Sequence, residues 1–263
     1  MLPFFFRHYD DLVSRYVIFD DGSTDDTLSI LKKRRDVEVR TLPRIENVNS
    51  YVLAAQKIHD SCWKESVGSA EWVIITAVDE FLYAPRLTEC LELWTKEGVT
   101  AVPALGYQML SPIRPRSDKK LTDLIKRGAP NVKMNKLSLF NPNKIRETNQ
   151  GLGRHDAAPC GEVRYPDIDV LLNLHYKFIS FEDTFARNKR LQEKLGSVDK
   201  ENGWGIQYSW TRERLKQRWD GYEDRAVENV FSPAYNANLQ HSEMSERWWR
   251  LSGSLASDAR QNR

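Results

Sequence analysis

The chain has 263 residues, with 39 basic and 37 acidic side chains for a net charge of +2. That near-balance speaks against a dedicated nucleic-acid surface, which carries a strong basic excess, and the length suits one α/β domain with an appendage. Cys62, Cys90 and Cys160 fit no metal-ligand spacing and cannot all pair, no apolar run approaches the roughly 20 residues of a membrane span, and MLPFFF meets Arg7 and His8 too soon to be a signal peptide.

In chain order, Pro3 to Ser14 is predicted to be helical, with Phe4, Phe5 and Tyr9 partly on one face. Tyr16 to Phe19 is a predicted strand, Asp25 to Arg34 a helix, and Val37 to Thr41 a second strand. Asn49 to Glu65 carries Val52, Leu53, Ile58 and Trp63 at near-helical spacing and is expected to form a long amphipathic helix. Trp72 to Thr76 has few polar side chains, as a strand covered on both faces should. A helix over Arg86 to Lys96 stops near Gly98, and Val99 to Leu105 and Lys133 to Phe140 read as strands. Between those two strands, Ser111 to Pro130 is basic and proline-containing, an expected excursion or lid rather than core. From about Phe181 the pattern is helical and charged. The expected organisation is a core over 1–180, a helical extension of the same domain over 181–250, and a disordered tail over 251–263.

Two acidic loops carry the chemistry. In VIFDDGSTDDT, Val17 to Thr27, a short strand stops on Asp20 and Asp21, a Gly-Ser-Thr turn follows, and a helix is expected to open on Asp25 and Asp26. In EWVIITAVDEFLY, Glu71 to Tyr83, an apolar strand ends on Asp79 and Glu80 before Phe81 and Leu82 re-enter the core. Ligands of α/β proteins gather where strands end. Two such ends bearing acid pairs suit one cleft for a metal and a diphosphate, since Mg²⁺ and Mn²⁺ take one or two carboxylates while phosphates supply further ligands. The plain alternative is turn chemistry and solvated acids.

These loops resemble the nucleotide-sugar site of family 2 glycosyltransferases, which have the GT-A fold. LPFFFRHYDDLV, CWKESVGSAEWVI, the Pro103–Tyr107 segment, KLSLFNP, GLGRHDAAPCGEV, LLNLHYKFIS and ENGWGIQYSW are also similar to blocks of a bacterial subgroup of that family. Together they span most of residues 2 to 210. The resemblance implies a GT-A sheet, mixed and mostly parallel, with flanking helices. It implies transfer of a sugar from a nucleotide-diphosphate donor, a UDP-sugar above all, to the hydroxyl of a glycan or other acceptor in surface polysaccharide or glycoconjugate synthesis. Mn²⁺ or Mg²⁺ would assist. The expected location is cytoplasmic, peripheral at the inner membrane through partners.

Residue by residue, the resemblance implies that Asp21 accepts from the base, that Asp20 holds the loop or contacts the ribose, and that Ser23 and Asp79 join the donor-nucleotide site. Asp79 with Glu80 would serve the metal. Many relatives carry Asp two places before Asp79, where this chain has Ala77. A late histidine, His175 or His155, would be a further metal ligand. Asp156 is the first candidate for the base that deprotonates the acceptor, with Glu162 and Glu182 as rivals. Lys177 and Arg187 would suit a diphosphate, Lys189 is expected on a solvated helix face, and Trp204 packs or stacks on a sugar. The family's first strand, ending in Asn-Glu, is not found ahead of LPFFFRHY, so a truncated frame or misassigned start is expected, with an irregular position beside the Tyr16–Phe19 strand. A non-catalytic relative acting as a binding module is the second reading. A nucleotidyltransferase-like enzyme ranks last, because no Gly-rich phosphate loop occurs.

Overall fold

The computed structural model describes residues 1–116, 118–233, 235–237 and 247–250. The tail expected over 251–263 lies outside the described residues. The fold is mixed α/β. Helix α1 (Leu2–Tyr9) leads into strand β1 (Tyr16–Asp20), helix α2 (Thr27–Leu31), strand β2 (Val37–Thr41) and helix α3 (Tyr51–Ser61). Strands β3 (Val73–Ile74) and β4 (Glu80–Tyr83), helix α4 (Leu87–Lys96) and strand β5 (Ala101–Ser111) follow. Then come α5 (Leu121–Leu124), β6 (Gly128–Pro130), β7 (Lys136–Phe140), β8 (Ile145–Glu147), β9 (Cys160–Gly161) and β10 (Leu172–Ile179). Helices α6 (Phe181–Lys194), α7 (Ser197–Glu201) and α8 (Arg212–Glu223) succeed them.

The larger sheet has the order β3-β7-β5-β10-β4, with β6 on β5. Only β5 and β10 run parallel in it, so the mostly parallel sheet expected from the sequence is corrected to a mixed one with antiparallel pairs predominating. After β5 the chain passes through α5 and returns along β5 as β6 and then, past a 3₁₀ turn at Val132–Met134, as β7, both antiparallel to it. Strands β1 and β2 form a separate parallel pair, and β1 has β2 as its one ladder partner among the described residues.

Edge strand β4 has its backbone groups met by side chains of α1. The Tyr9 hydroxyl donates to the Glu80 carbonyl at 3.0 Å and accepts from the Leu82 N–H at 2.8 Å, while His8 Nε2 bonds the Leu82 carbonyl at 2.8 Å. Pairing an edge in this way avoids the cost of orphaned backbone groups. The aromatic rings of Phe5, Phe6, Tyr9, Tyr16 and Phe81 pack around this contact.

Several boundaries move for local reasons. Helix α1 ends at Tyr9, short of Ser14, and Asp10 instead receives the Tyr16 hydroxyl and the Arg34 guanidinium. Helix α2 begins at Thr27 because Asp25 accepts from the Thr27 N–H at 3.0 Å and keeps the DD pair in the turn. Ser50 caps α3 through the Leu53 N–H at 3.0 Å. The strand expected at Trp72–Thr76 shrinks to a half-buried edge strand, because only β7 covers its side. Within 121–130 the apolar residues join the core rather than a lid: Leu121 and Ala129 are fully buried and Ile125 nearly so, while Asp123, Leu124 and Lys126 stay at the surface. Helix α8 closes the far end of β5 and β10, packing Leu215, Trp219 and Tyr222 on Leu110, Ala129 and Phe178.

Candidate functional site

Five separated segments meet at one cleft: the loop after β1, the start of α3, the turn before β4, the middle of β10 and the middle of α6. In β10, Leu172, Leu174 and Tyr176 point to one core, so Asn173 and His175 share the opposite face, and a register shift between His175 and Phe178 interrupts the alternation around Lys177. His175 pairs in register with Gln108 of β5 and Glu80 of β4.

Asp79 is 1 % exposed. Its Oδ2 receives the Arg187 guanidinium and lies 3.2 Å from His175 Nε2. Burial opposes the charged carboxylate, but Arg187 and His175 outweigh it and hold Asp79 well below the usual range. The other ring nitrogen of His175, Nδ1, is 3.1 Å from Gln108 Oε1, while Gln108 Nε2 donates to the His175 carbonyl at 2.8 Å. Gln108 thus fixes the imidazole ring with Nε2 turned towards Asp79. Lys177 sits beyond, its ammonium 5.0 Å from the centre of the Tyr208 ring. Burial, with Arg187 nearby, pulls that ammonium down to about 8.

Glu80, the first residue of β4, turns to other partners. Its Oε1 takes Lys136 Nζ at 2.7 Å and its Oε2 takes the Arg154 guanidinium, all three side chains being at most 6 % exposed. Burial works against this charge too, yet Arg154 and Lys136 keep the carboxyl far down. Both oxygens of Glu80 are committed to these cations. Arg154 adds bonds to the Ile75 carbonyl at 2.6 Å and Ser138 Oγ at 3.1 Å. Sequence reading missed this cluster, although a lysine and an arginine inside apolar surroundings are themselves a signal for a buried partner.

In the first loop, Asp20 folds inward on its own turn, accepting from the Gly22 N–H at 2.9 Å and the Ser23 N–H at 3.0 Å. Gly22 has φ +73°, which the turn requires. Asp21 pairs with Arg44 through Oδ1. Its Oδ2 is buried and accepts no hydrogen bond among the described residues, with Lys194 Nζ at 3.4 Å as an ion-pair neighbour. A buried acceptor in that position is open to a donor from a ligand.

The remaining candidates lie elsewhere. His155 is exposed and its Nδ1 bonds the Lys133 carbonyl. Asp156 folds back over Gly151, where an added Cβ would collide with its carboxylate, and its loop is held through Arg154 to Glu80, away from Asp79. Glu162 pairs with Lys144 at 2.9 Å, and its carbonyl bonds Thr100, which precedes β5. From Thr100 to Gln108 is about eight residues of strand, roughly 26 Å, so Glu162 is at the opposite end of the sheet from His175. Glu182 is exposed against Arg212, Lys189 lies over Phe185 on the outer face of α6, and Trp204 is half-buried beside α7.

Among the described residues no three His, Cys, Asp or Glu side chains are grouped to hold a metal. The pair Asp79 and His175 does converge at 3.2 Å with compatible oxygen and nitrogen donors, and phosphate oxygens can complete such a shell. Neither Glu80 nor His155 belongs to that pair. Among the described residues no helix is long and apolar enough to cross a membrane. A scan against protein-family models found no match for this chain, and a search of curated proteins found none.

Proposed function

We propose that this chain is a GT-A glycosyltransferase that moves a sugar from a nucleotide-diphosphate donor, a UDP-sugar, to an acceptor hydroxyl with Mn²⁺ or Mg²⁺. The observation that carries the reading is the meeting of Asp79, His175, Arg187 and Lys177 beside a buried, unsatisfied Asp21 oxygen. One buried carboxylate among these cations favours an anion accompanied by a cation. Asp21 Oδ2 would accept from the uracil N3–H, Asp20 and Ser23 would keep the loop in shape, and Tyr51 and Tyr208 would wall the donor.

The acceptor oxygen attacks the anomeric carbon, the bond from that carbon to the diphosphate oxygen breaks, and the nucleoside diphosphate departs with the electron pair. Asp79 and His175 would hold a divalent cation, which would supply Lewis-acid stabilisation of the leaving oxygen. Arg187 and Lys177 donate charge-assisted hydrogen bonds to the same phosphates. In an inverting transfer the acceptor proton goes to a carboxylate. Asp156 is the first candidate for that role, whereas Glu162 is a sheet's length away.

Calorimetric titration with UDP, with and without Mn²⁺, tests the reading directly. Binding that tightens with Mn²⁺, and metal-dependent release of UDP from a UDP-sugar, are expected. Absence of UDP binding under both conditions refutes it. The second reading, a non-catalytic binding module, is favoured by Ala77 and by the commitment of Glu80 to Lys136 and Arg154. UDP binding with no turnover of any UDP-sugar would select it.

A further inference from the structure

One buried carboxylate joins the α7 segment to the start of α3. Asp199 is 0 % exposed and lies 149 residues from Ser50 in sequence. Its Oδ1 accepts the Ser50 hydroxyl and, at 3.3 Å, the Val52 N–H. Its Oδ2 accepts the N–H groups of Tyr51 at 2.7 Å and Gly196 at 3.0 Å. With Ser50 Oγ on the Leu53 N–H, the N–H groups that open α3, Tyr51 to Leu53, are all met. Four donors on two oxygens need a carboxylate, because an amide would set its own NH₂ against two of them. The backbones close the same seam. The Val198 N–H donates to the Asn49 carbonyl at 3.2 Å, and a Cβ on Gly196 would meet that carbonyl oxygen at 1.9 Å.

Little chain separates this clasp from the cations around Asp79. The Asp199 carbonyl takes the Trp204 N–H at 2.8 Å, and Gly205, at φ +74°, turns the chain so that the Tyr208 N–H reaches its carbonyl at 2.9 Å. The Tyr208 ring then lies over the Lys177 ammonium at 5.0 Å. Tyr51, on the α3 side of the clasp, is within electrostatic reach of Tyr208, Asp21 and Arg187. We propose that Asp199 is a positioning residue: by clasping residues 196–208 to α3 it sets Tyr208 over Lys177 and Tyr51 beside Arg187, and so shapes the charged surroundings of Asp79. That this placement serves a donor rests on the nucleotide-sugar reading, whereas the clasp itself does not.

Lys177 reports on the clasp. The groups that act on it are Arg187 of α6, Asp79 of the turn before β4, and the Tyr208 ring. Burial holds the ammonium down to about 8, so uncovering it should raise its midpoint towards the ordinary 10.5. Competitive acetylation of amines across pH, read at Lys177 by mass spectrometry, measures that midpoint. Asp199→Asn and Tyr208→Ala should each raise it by roughly one pH unit, and the double variant by no more than the larger single shift, because both act on one contact. Gly196→Ala strains the clasp from the other side while leaving every donor to Asp199 in place. It should shift the midpoint in the same direction, and it serves where Asp199→Asn does not fold. Calorimetry should show UDP bound about tenfold more weakly by Asp199→Asn than by the parent. An unchanged Lys177 midpoint in either folded clasp variant, or additive shifts in the double variant, overturns the positioning role even where the parent binds UDP. A parent that binds no UDP overturns the donor reading, while the Lys177 shifts still decide the clasp.

Discussion

Replacing Glu80 by Ala should unfold this protein more readily rather than merely silence a site. The carboxylate neutralises Lys136 and Arg154 where water scarcely reaches, with side-chain exposures of 4 %, 6 % and 3 % respectively. Removing one partner of a buried ion pair costs about 3–5 kcal/mol, chiefly because charge is left behind without compensation. Here two cations are left. Against a typical domain stability of about 5–15 kcal/mol, a melting temperature lower by about 10 °C is expected. Glu80→Gln, which still offers one acceptor oxygen, should cost less. A combined Glu80→Leu, Lys136→Met, Arg154→Met variant should recover part of the loss, because well-packed apolar replacements of buried ion clusters are often neutral. Recovery should stop short of full, since Arg154 also satisfies the Ile75 carbonyl and Ser138. Urea unfolding followed by tryptophan fluorescence and far-ultraviolet circular dichroism measures each term. An alanine variant with an unchanged urea midpoint would refute the structural role, and lost Mn²⁺ binding in that stable variant would return Glu80 to the metal.

Asp79→Ala should lower metal-dependent UDP-sugar turnover by about 10²-fold or more while shifting the melting temperature little, because Arg187 can turn to solvent; unchanged Mn²⁺ dependence would remove Asp79 from the metal. Asp21→Asn should weaken UDP by about 1–2 kcal/mol with little effect on bare Mn²⁺, and calorimetry showing equal UDP affinity would reject the base contact. His8 should confer acid sensitivity: burial lowers it to about 4 in the folded chain, so as pH falls below the ordinary value of 6.5 the unfolded chain takes up a proton that the folded chain refuses. Stability should therefore decline from pH 6.5 towards pH 4, by up to about 3 kcal/mol, and His8→Gln should flatten that part of the profile of melting temperature against pH. An identical slope in the variant would assign the acid loss to other groups.

What the sequence made legible was local. Asp20 to Ser23 form the turn their residue types dictate, and the strands at Tyr16 and Val37 and the helix ending near Lys96 follow from short-range pattern. The fates of Asp79 and Glu80 were not local. Asp79 lies in the turn before β4 and Glu80 opens the strand, so where each side chain goes depends on the partners that meet it. Lys136 and Arg154 decide it, from 56 and 74 residues away in sequence. Other signals were present in the chain but need the sheet to interpret them. Residues 172–176 alternate apolar and polar, LNLHY, which marks a strand with Asn173 and His175 on one face. Leu121, Ile125 and Ala129 recur every fourth residue through a segment whose charge suggested a lid, and burial followed the apolar spacing rather than the average composition. Gln108, a lone amide in a strand otherwise buried and apolar, orients His175. A polar residue placed where burial is complete requires a partner, and here the partner is the imidazole that faces Asp79. The site is thus set by contacts across the sheet, between residues that no single segment brings together, and its chemistry follows from the partners that meet each acid.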